Sequence, residues 1–338
     1  LRYNVDDSTT GEKDMSQPKV FVTRQLPQAT LDRLAQHCEL DIWDDFLPPP
    51  YDVIQSKASD IDGILCLLTD NIDSNIMTHA PKLKVISNLA VGYDNIDVSH
   101  ATQRSIPVGN TPGVLTETTA DFAFALLMSV ARRIPEAQQY VHNNAWETWH
   151  PTVLSGQDIY GATLGIVGFG RIGEAVARRA QGFNMKILVS TNTHTSAIDA
   201  VGAEHVPLEE LLNRSDFVSL HVPLTDKTHH LIGANELRLM KPTSILINTA
   251  RGGVVDPKAL YDALKSNVIL AAGLDVTEPE PIASDDPLLT LDNCVVVPHI
   301  ASASVATRRK MAEMAVDNVI AGLHGDPLPT CVNPEVYQ

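Results

Sequence analysis

Along this chain, short apolar runs alternate with stretches whose apolar positions recur at helical spacing. "KVFVTR" (19–24), "ELDIW" (39–43), "GILCLL" (63–68), "KVISNLA" (84–90) and "PVGN" (107–110) predict strands, and "TLDRLAQH" (30–37) predicts a helix. The strand runs are near-continuous and β-branched, the pattern of parallel strands buried on both faces. A long helical stretch follows, "TETTADFAFALLMSVARRIPEAQQYV" (116–141), with Thr116 and Thr118 as caps near its start and Pro135 marking a kink or an end. "HNNAWETWHP" (142–151) reads as irregular.

A second α/β series begins at residue 163. Its predicted strands are 163–168, 185–190, 217–222, 244–250, 269–276 and 294–300, with helices over 171–182, 208–213, 234–240 and 256–265. Such alternation suits βαβ units. The first series has no closing element of its own, so the amphipathic helix over 307–325 is expected to return to it. That predicts a discontinuous domain, residues 18–113 plus 305–338, around an inserted domain, residues 114–304. Residues 1–17 are polar and patternless and are expected to form a disordered extension.

Composition narrows the class. The 338 residues suffice for two domains, and 44% hydrophobic with 20% charged residues is ordinary for a globular protein. A net charge of −16 excludes the basic footprint of a nucleic-acid binder, so an anionic substrate needs a well-placed arginine. Cys38, Cys66, Cys294 and Cys331 are scattered, which argues against a disulfide framework and against zinc-ligand spacing. No run is long enough to span a bilayer, and a cytoplasmic location is expected.

"TLGIVGFGRIGEAVARRA" (163–180) holds the first candidate chemistry. A GxGxxG hexamer alone is weak, but here a strand precedes it and a helix follows. Gly168 would turn the chain, Gly170 would admit a pyrophosphate, and Gly173 would seat the helix on the strand. Arg171 and Ile172 join them as cofactor-binding candidates, because the helix N-terminus favours phosphate. The next strand should end in an acid if the cofactor is NAD(H). It ends instead in neutral Ser190, Thr191, Asn192 and Thr193, with no acid as far as Ser196. NADP(H) is therefore favoured and NAD(H) remains possible, since no Arg or Lys is present either.

Three more strand ends carry reactive groups. "INTARGGVVD" places Arg251 where ligands bind a parallel sheet, able to clamp a carboxylate. "AGLDVTEPEP" delivers Asp275, Glu278 and Glu280, and "VVVPHIASAS" delivers His299. A carboxylate beside an imidazole orients the ring and stabilises its protonated form, making an acid/base pair. His229 and His230, in a polar turn, receive no role, and no metal site is read.

The set "VGYDNID" (91–97), "GFGRIG" (168–173), "HVPLTDKTHHLI" (221–232), "NTARGGVVD" (248–256), "GLDVTEPEP" (273–281) and "PHIASAS" (298–304) resembles the D-isomer-specific 2-hydroxyacid dehydrogenases, and among them the glyoxylate/hydroxypyruvate reductases. The resemblance covers roughly residues 19–337. It implies two Rossmann-like or flavodoxin-like α/β domains with parallel sheets and the active site in the cleft between them. It further implies that Arg251 binds the substrate carboxylate with the Val91 and Gly92 amides, and that Glu280 partners His299, the general acid. Asp275 would hold the nicotinamide carboxamide and Thr119 would contact the cofactor. Leu67 and Trp149 (or Trp146) would wall the pocket, the tryptophan reaching in from the second subunit of a homodimer. The substrate would be a small 2-keto or 2-hydroxy acid. The alternatives are a 3-phosphoglycerate dehydrogenase-like enzyme and a dinucleotide-sensing, corepressor-like binding protein.

Overall fold

Continuous β-branched runs become the inner strands of two all-parallel sheets in the computed structural model, which describes residues 17–338. The extension expected over 1–17 lies outside the described residues, except for Gln17. The chain divides into two compact units, one running to Thr111 and resuming over Met311–Gln338, the other comprising Pro112–Lys310.

The first unit orders its strands β2-β1-β3-β4-β5, where β1 is Lys19–Val22, β2 Glu39–Ile42, β3 Gly63–Cys66, β4 Val85–Asn88 and β5 Val108–Gly109. Helices α1 (Gln28–Leu34), α2 (Tyr51–Ala58), α3 (Ser74–Thr78) and α4 (Val98–Gln103) connect them. The last two start on aspartate caps: Asp73 accepts from Ile76 N at 2.9 Å and Asp97 from His100 N at 2.9 Å. Phe21, Ile54, Ile64, Met77 and Ile86 fill one core, each fully buried side chain contributing ~1.5–3 kcal/mol.

The second unit opens with α5 (Thr116–Ala131) and α6 (Ile134–His142). The expected long helix is thus two. The break falls at Arg133, which has a left-handed backbone (φ 54°) and clamps Glu136 through Nε at 2.8 Å and Nη2 at 2.6 Å. Pro135 sits in the first turn of α6, where a missing N–H costs nothing. Then come β6 (Thr163–Val167), α7 (Arg171–Gln181), β7 (Lys186–Ser190), α8 (Ser196–Ala200), β8 (Glu204–His205), α9 (Leu208–Arg214), β9 (Phe217–Leu220) and α10 (Ala234–Leu239). The series closes with β10 (Ile245–Asn248), α11 (Pro257–Lys265), β11 (Ala271–Leu274) and β12 (Cys294–Val296). The strand order is β12-β11-β10-β9-β6-β7-β8, the Rossmann arrangement. Phe124, Leu127 and Val176 pack on one face of the sheet, and Leu211, Leu237, Leu260 and Leu264 belong to the core on the other. The final helix α12 (Val305–His324) begins in this unit and ends in the first.

The four cysteines are free. Among the described residues, no helix is long and apolar enough to cross a membrane.

Candidate active site

Strands β6 and β9 are neighbours at the centre of the seven-stranded sheet, and the strands that follow them run outward in opposite directions. A crevice forms beyond the carboxyl ends of strands at such a switch point. The chain leaves β6 through Gly168 at φ 89°, donating its N–H to Ser190 O at 2.8 Å. A Cβ on Gly168 would stand 2.7 Å from His221 O, so the exits of β6 and β9 lie in contact. A Cβ on Gly173 would meet Gly168 O at 2.4 Å, which is how closely α7 tucks under the loop. A Cβ on Gly170, the N-cap of α7, would meet nothing within 4 Å. The loop is therefore closed underneath and open above, where the N–H groups of the helix start favour an anion, with Arg171 exposed and Ile172 half-buried beside them. A dinucleotide pyrophosphate fits that shape and polarity.

Beside the loop, β7 ends in Ser190, with Thr191 half-buried and Asn192 exposed. Two imidazoles join them. His205 on β8 donates from Nε2 to Thr191 O at 2.9 Å, and the His194 ring lies 5.5 Å from that of His205. His194 Nε2 is 3.1 Å from Asp199 Oδ1. Sequence reasoning missed both because it looked for Arg or Lys, and because His205 reaches the segment only through strand pairing.

The reactive strand ends follow from β10, β11 and β12 along the same edge. Asn248 folds the turn after β10, accepting from Ala250 N at 3.0 Å and donating to Arg251 O at 2.9 Å. Arg251 is half-buried and donates from Nη1 to Ala250 O at 2.8 Å. Asp275, 1% exposed, receives Ile300 N at 2.7 Å and Ala301 N at 3.0 Å on its two carboxylate oxygens, and its carbonyl receives His299 N at 2.8 Å. These bonds hold His299 in a left-handed conformation, φ 51°. Such a backbone costs ~1–3 kcal/mol, and three hydrogen bonds at ~0.5–1.5 kcal/mol each are enough to offset it. Burial pushes the Asp275 carboxyl above its ordinary range, and the two amide N–H groups act against that rise. Arg308, at the start of α12, lies within electrostatic reach of Asp275, while burial lowers its own guanidinium.

Glu280 Oε1 meets His299 Nδ1 at 2.5 Å, with both side chains partly exposed. A carboxylate only accepts, so Nδ1 carries the proton of that bond and Nε2 is the ring atom left to exchange one.

In the first unit, Leu67 directly follows β3 and is half-buried, its N–H held by Asp70 Oδ2 at 2.7 Å. Val91 and Gly92 follow β4, anchored by their carbonyls to Asn110 Nδ2 at 2.8 Å and Asn88 Nδ2 at 2.9 Å.

Residues 124–301 match the model of the D-isomer specific 2-hydroxyacid dehydrogenase NAD-binding domain. Over 323 residues the chain is 56% identical to a glyoxylate reductase of Korarchaeum cryptofilum, covering 95% of this chain and 97% of that one. This chain belongs to the D-isomer-specific 2-hydroxyacid dehydrogenase family. Among solved structures, a Thermus thermophilus protein superposes with a TM-score of 0.88 at 44% identity, covering 93% of this chain and 99% of the other. An NADPH-dependent glyoxylate/hydroxypyruvate reductase from Sinorhizobium meliloti, in complex with NADP and malonate, gives 0.84 at 35% identity, with 94% and 98% covered.

Within the second unit, this dehydrogenase brings Arg251, Asp275, Glu280 and His299 to the sheet edge that carries Gly168, Gly170 and Gly173. Thr119 is 4% exposed in the first turn of α5, with its N–H on Leu115 O. Trp149 is 80% exposed and Trp146 66%.

Proposed function

We propose that the chain reduces small 2-keto acids of the glyoxylate and hydroxypyruvate type to D-2-hydroxy acids, with NADPH preferred over NADH. The observation that carries this reading is the convergence of Arg251, the Glu280–His299 pair and the glycine loop at one edge of one sheet. The glyoxylate reductase relative and the NADPH-dependent Sinorhizobium reductase support the same substrate class and cofactor.

When bound, a reduced nicotinamide dinucleotide supplies the hydride. Arg251 holds the keto acid's carboxylate through paired N–H donors. His299 gives its Nε2 proton to the carbonyl oxygen as negative charge builds there, while Glu280 on Nδ1 stabilises the imidazolium beforehand and keeps the ring aimed. In the oxidative direction neutral Nε2 takes the proton back. Asp275 positions His299 through the 299–301 turn, and it serves a nicotinamide carboxamide only with lone pairs the two amides leave. At the adenosine end, Ser190, Thr191 and Asn192 donate to a 2′-phosphate, and His194 and His205 add positive charge when protonated. No carboxylate between Ser190 and Ser196 repels that phosphate. The exposed Ile134, Val141, Trp146 and Trp149 support a homodimer that covers them.

Steady-state reduction of glyoxylate and hydroxypyruvate, each with NADPH and NADH, tests the proposal. Turnover of both acids with a higher kcat/KM for NADPH is expected. A preference for NADH refutes the cofactor assignment alone. Dinucleotide binding without turnover of either acid refutes the substrate assignment.

A further inference from the structure

Glu278, His229 and His230 take no part in the chemistry above, yet they form the one cluster of three metal-ligating side chains found among the described residues. The loop after β9 is knitted by Thr225 and Thr228: Thr228 Oγ1 donates to Pro223 O at 2.6 Å, and His229 N donates to Thr225 O at 2.8 Å. His230 follows with a left-handed backbone, φ 51°, its N–H on Gly253 O at 2.7 Å. The two imidazoles stack, centroids 3.9 Å apart and planes 22° apart. Both present Nε2 to the same carboxylate, His229 at 3.3 Å from Oε1 and His230 at 2.7 Å from Oε2. The second glycine after Arg251 leaves them room: a Cβ on Gly253 would come within 3.0 Å of Glu278 Oε1 and 3.4 Å of His229 Cδ2. Loops from three adjacent strands therefore meet here.

We infer that His229, His230 and Glu278 form a binding site for a divalent transition-metal ion of the zinc class, completed by water. The three ligand atoms lie within 4.8 Å of one another. Donors around tetrahedral zinc, each about 2.0–2.2 Å from the ion, stand about 3.3 Å apart, so the ligand atoms are already near coordinating separation. The site is completed when the two rings turn out of their stack to aim both Nε2 lone pairs at one ion. Two imidazoles and a carboxylate suit zinc, nickel or copper better than magnesium or calcium, which require mostly oxygen. All three side chains are between one third and one half exposed, so the ion enters from solvent and keeps a water ligand. Binding exchanges protons for metal. Each Nε2 that now donates to the carboxylate gives up its hydrogen, either to solvent or by a shift of the ring proton to Nδ1. The occupied site ties the loop bearing Glu280 to the loop after β9, next to the glycines that follow Arg251. It is a structural clamp, independent of the identity of the keto acid.

Calorimetric titration of the full-length, chelator-treated protein with Zn²⁺ tests this. One equivalent is expected to bind, with affinity at least tenfold weaker in His229→Gln and in His230→Asn, the latter chosen because Asn tolerates a left-handed backbone. No saturable binding, or binding that both folded variants retain at full affinity, overturns the inference. X-ray absorption on the zinc-loaded wild type decides the case even if a variant misfolds. Two imidazoles with oxygen neighbours are expected, and sulfur in the first coordination shell overturns it.

Discussion

A methyl group added at each glycine of the GFGRIG loop separates folding from cofactor binding. At Gly168, alanine must adopt φ 89° with its Cβ 2.7 Å from both His221 O and Val222 Cγ1. The backbone costs ~1–3 kcal/mol and the overlap another ~1–3 kcal/mol. Gly168→Ala should therefore lose roughly 2–6 kcal/mol, lowering Tm on the order of 10 °C. At Gly173 the φ is ordinary, and the clash with Gly168 O at 2.4 Å is offset in part by the ~1 kcal/mol by which alanine exceeds glycine in a helix. Its net loss should be of the same order, because the overlap is with backbone and deeper than at Gly168. Gly170→Ala is the informative change. Its methyl meets no protein atom within 4 Å, so the fold loses only on the order of 0.5–1 kcal/mol, from alanine's poorer fit at an N-cap. The same methyl occupies the open side of the loop, and the dinucleotide Kd should rise about tenfold or more, equivalent to ~1.4 kcal/mol. Thermal melts and fluorescence titration with NADPH measure the two effects. If Gly170→Ala bound NADPH like the wild type, the loop would not be the cradle. If Gly168→Ala melted like the wild type, the contact between the exits of β6 and β9 would be misjudged.

His299→Gln should lower kcat about 10²-fold or more with little change in Tm, and Glu280→Gln should lower it less, because the imidazole remains; rapid mixing under saturating substrate reads both, and an unchanged kcat for His299→Gln removes it from the chemistry. Burial lowers the His221 ring to about 4, below its unfolded value of about 6.5. The unfolded chain therefore binds the extra proton between those values. Stability from the neutral ring is present above about pH 6.5 and lost as pH falls toward 4, on the order of 1–3 kcal/mol. His221→Gln should flatten that part of the pH dependence of urea unfolding, and an identical slope in the two proteins refutes it.

How legible the molecule was depended on whether a feature lay within one stretch of chain. Strands buried on both faces announce themselves as continuous apolar runs, so every inner strand was found. Their lengths were overread where the chain turns to build the ligand edge. The run 294–300 is strand only to Val296, because the following residues wrap around Asp275. Short elements left no pattern: α2, α3 and α4 span at most about two turns each, and β8 is two exposed residues. Arg251 and His299 could be found because each terminates a strand run in its own segment. The His194–His205 contact and the grip of His229 and His230 on Glu278 join separate loops, and nothing local marks them. Arg308 near Asp275 was hidden for the same reason, within a basic run that reads as a solvated helix start.

The helix α6 buries none of its nine residues. A helix that short is marginal in water by itself, since nucleation outweighs the few bonds it closes. The Arg133–Glu136 clamp adds a few tenths of a kcal/mol at such an exposed position, too little to change that. The order of this stretch then rests on its packing against α5 and, in the homodimer proposed above, on whatever covers Ile134, Val141 and the tryptophans beyond. In a self-associating protein that makes local structure a function of concentration: on dilution the stretch would melt while both sheets stay intact, and the molecule would register its own abundance in the state of one helix.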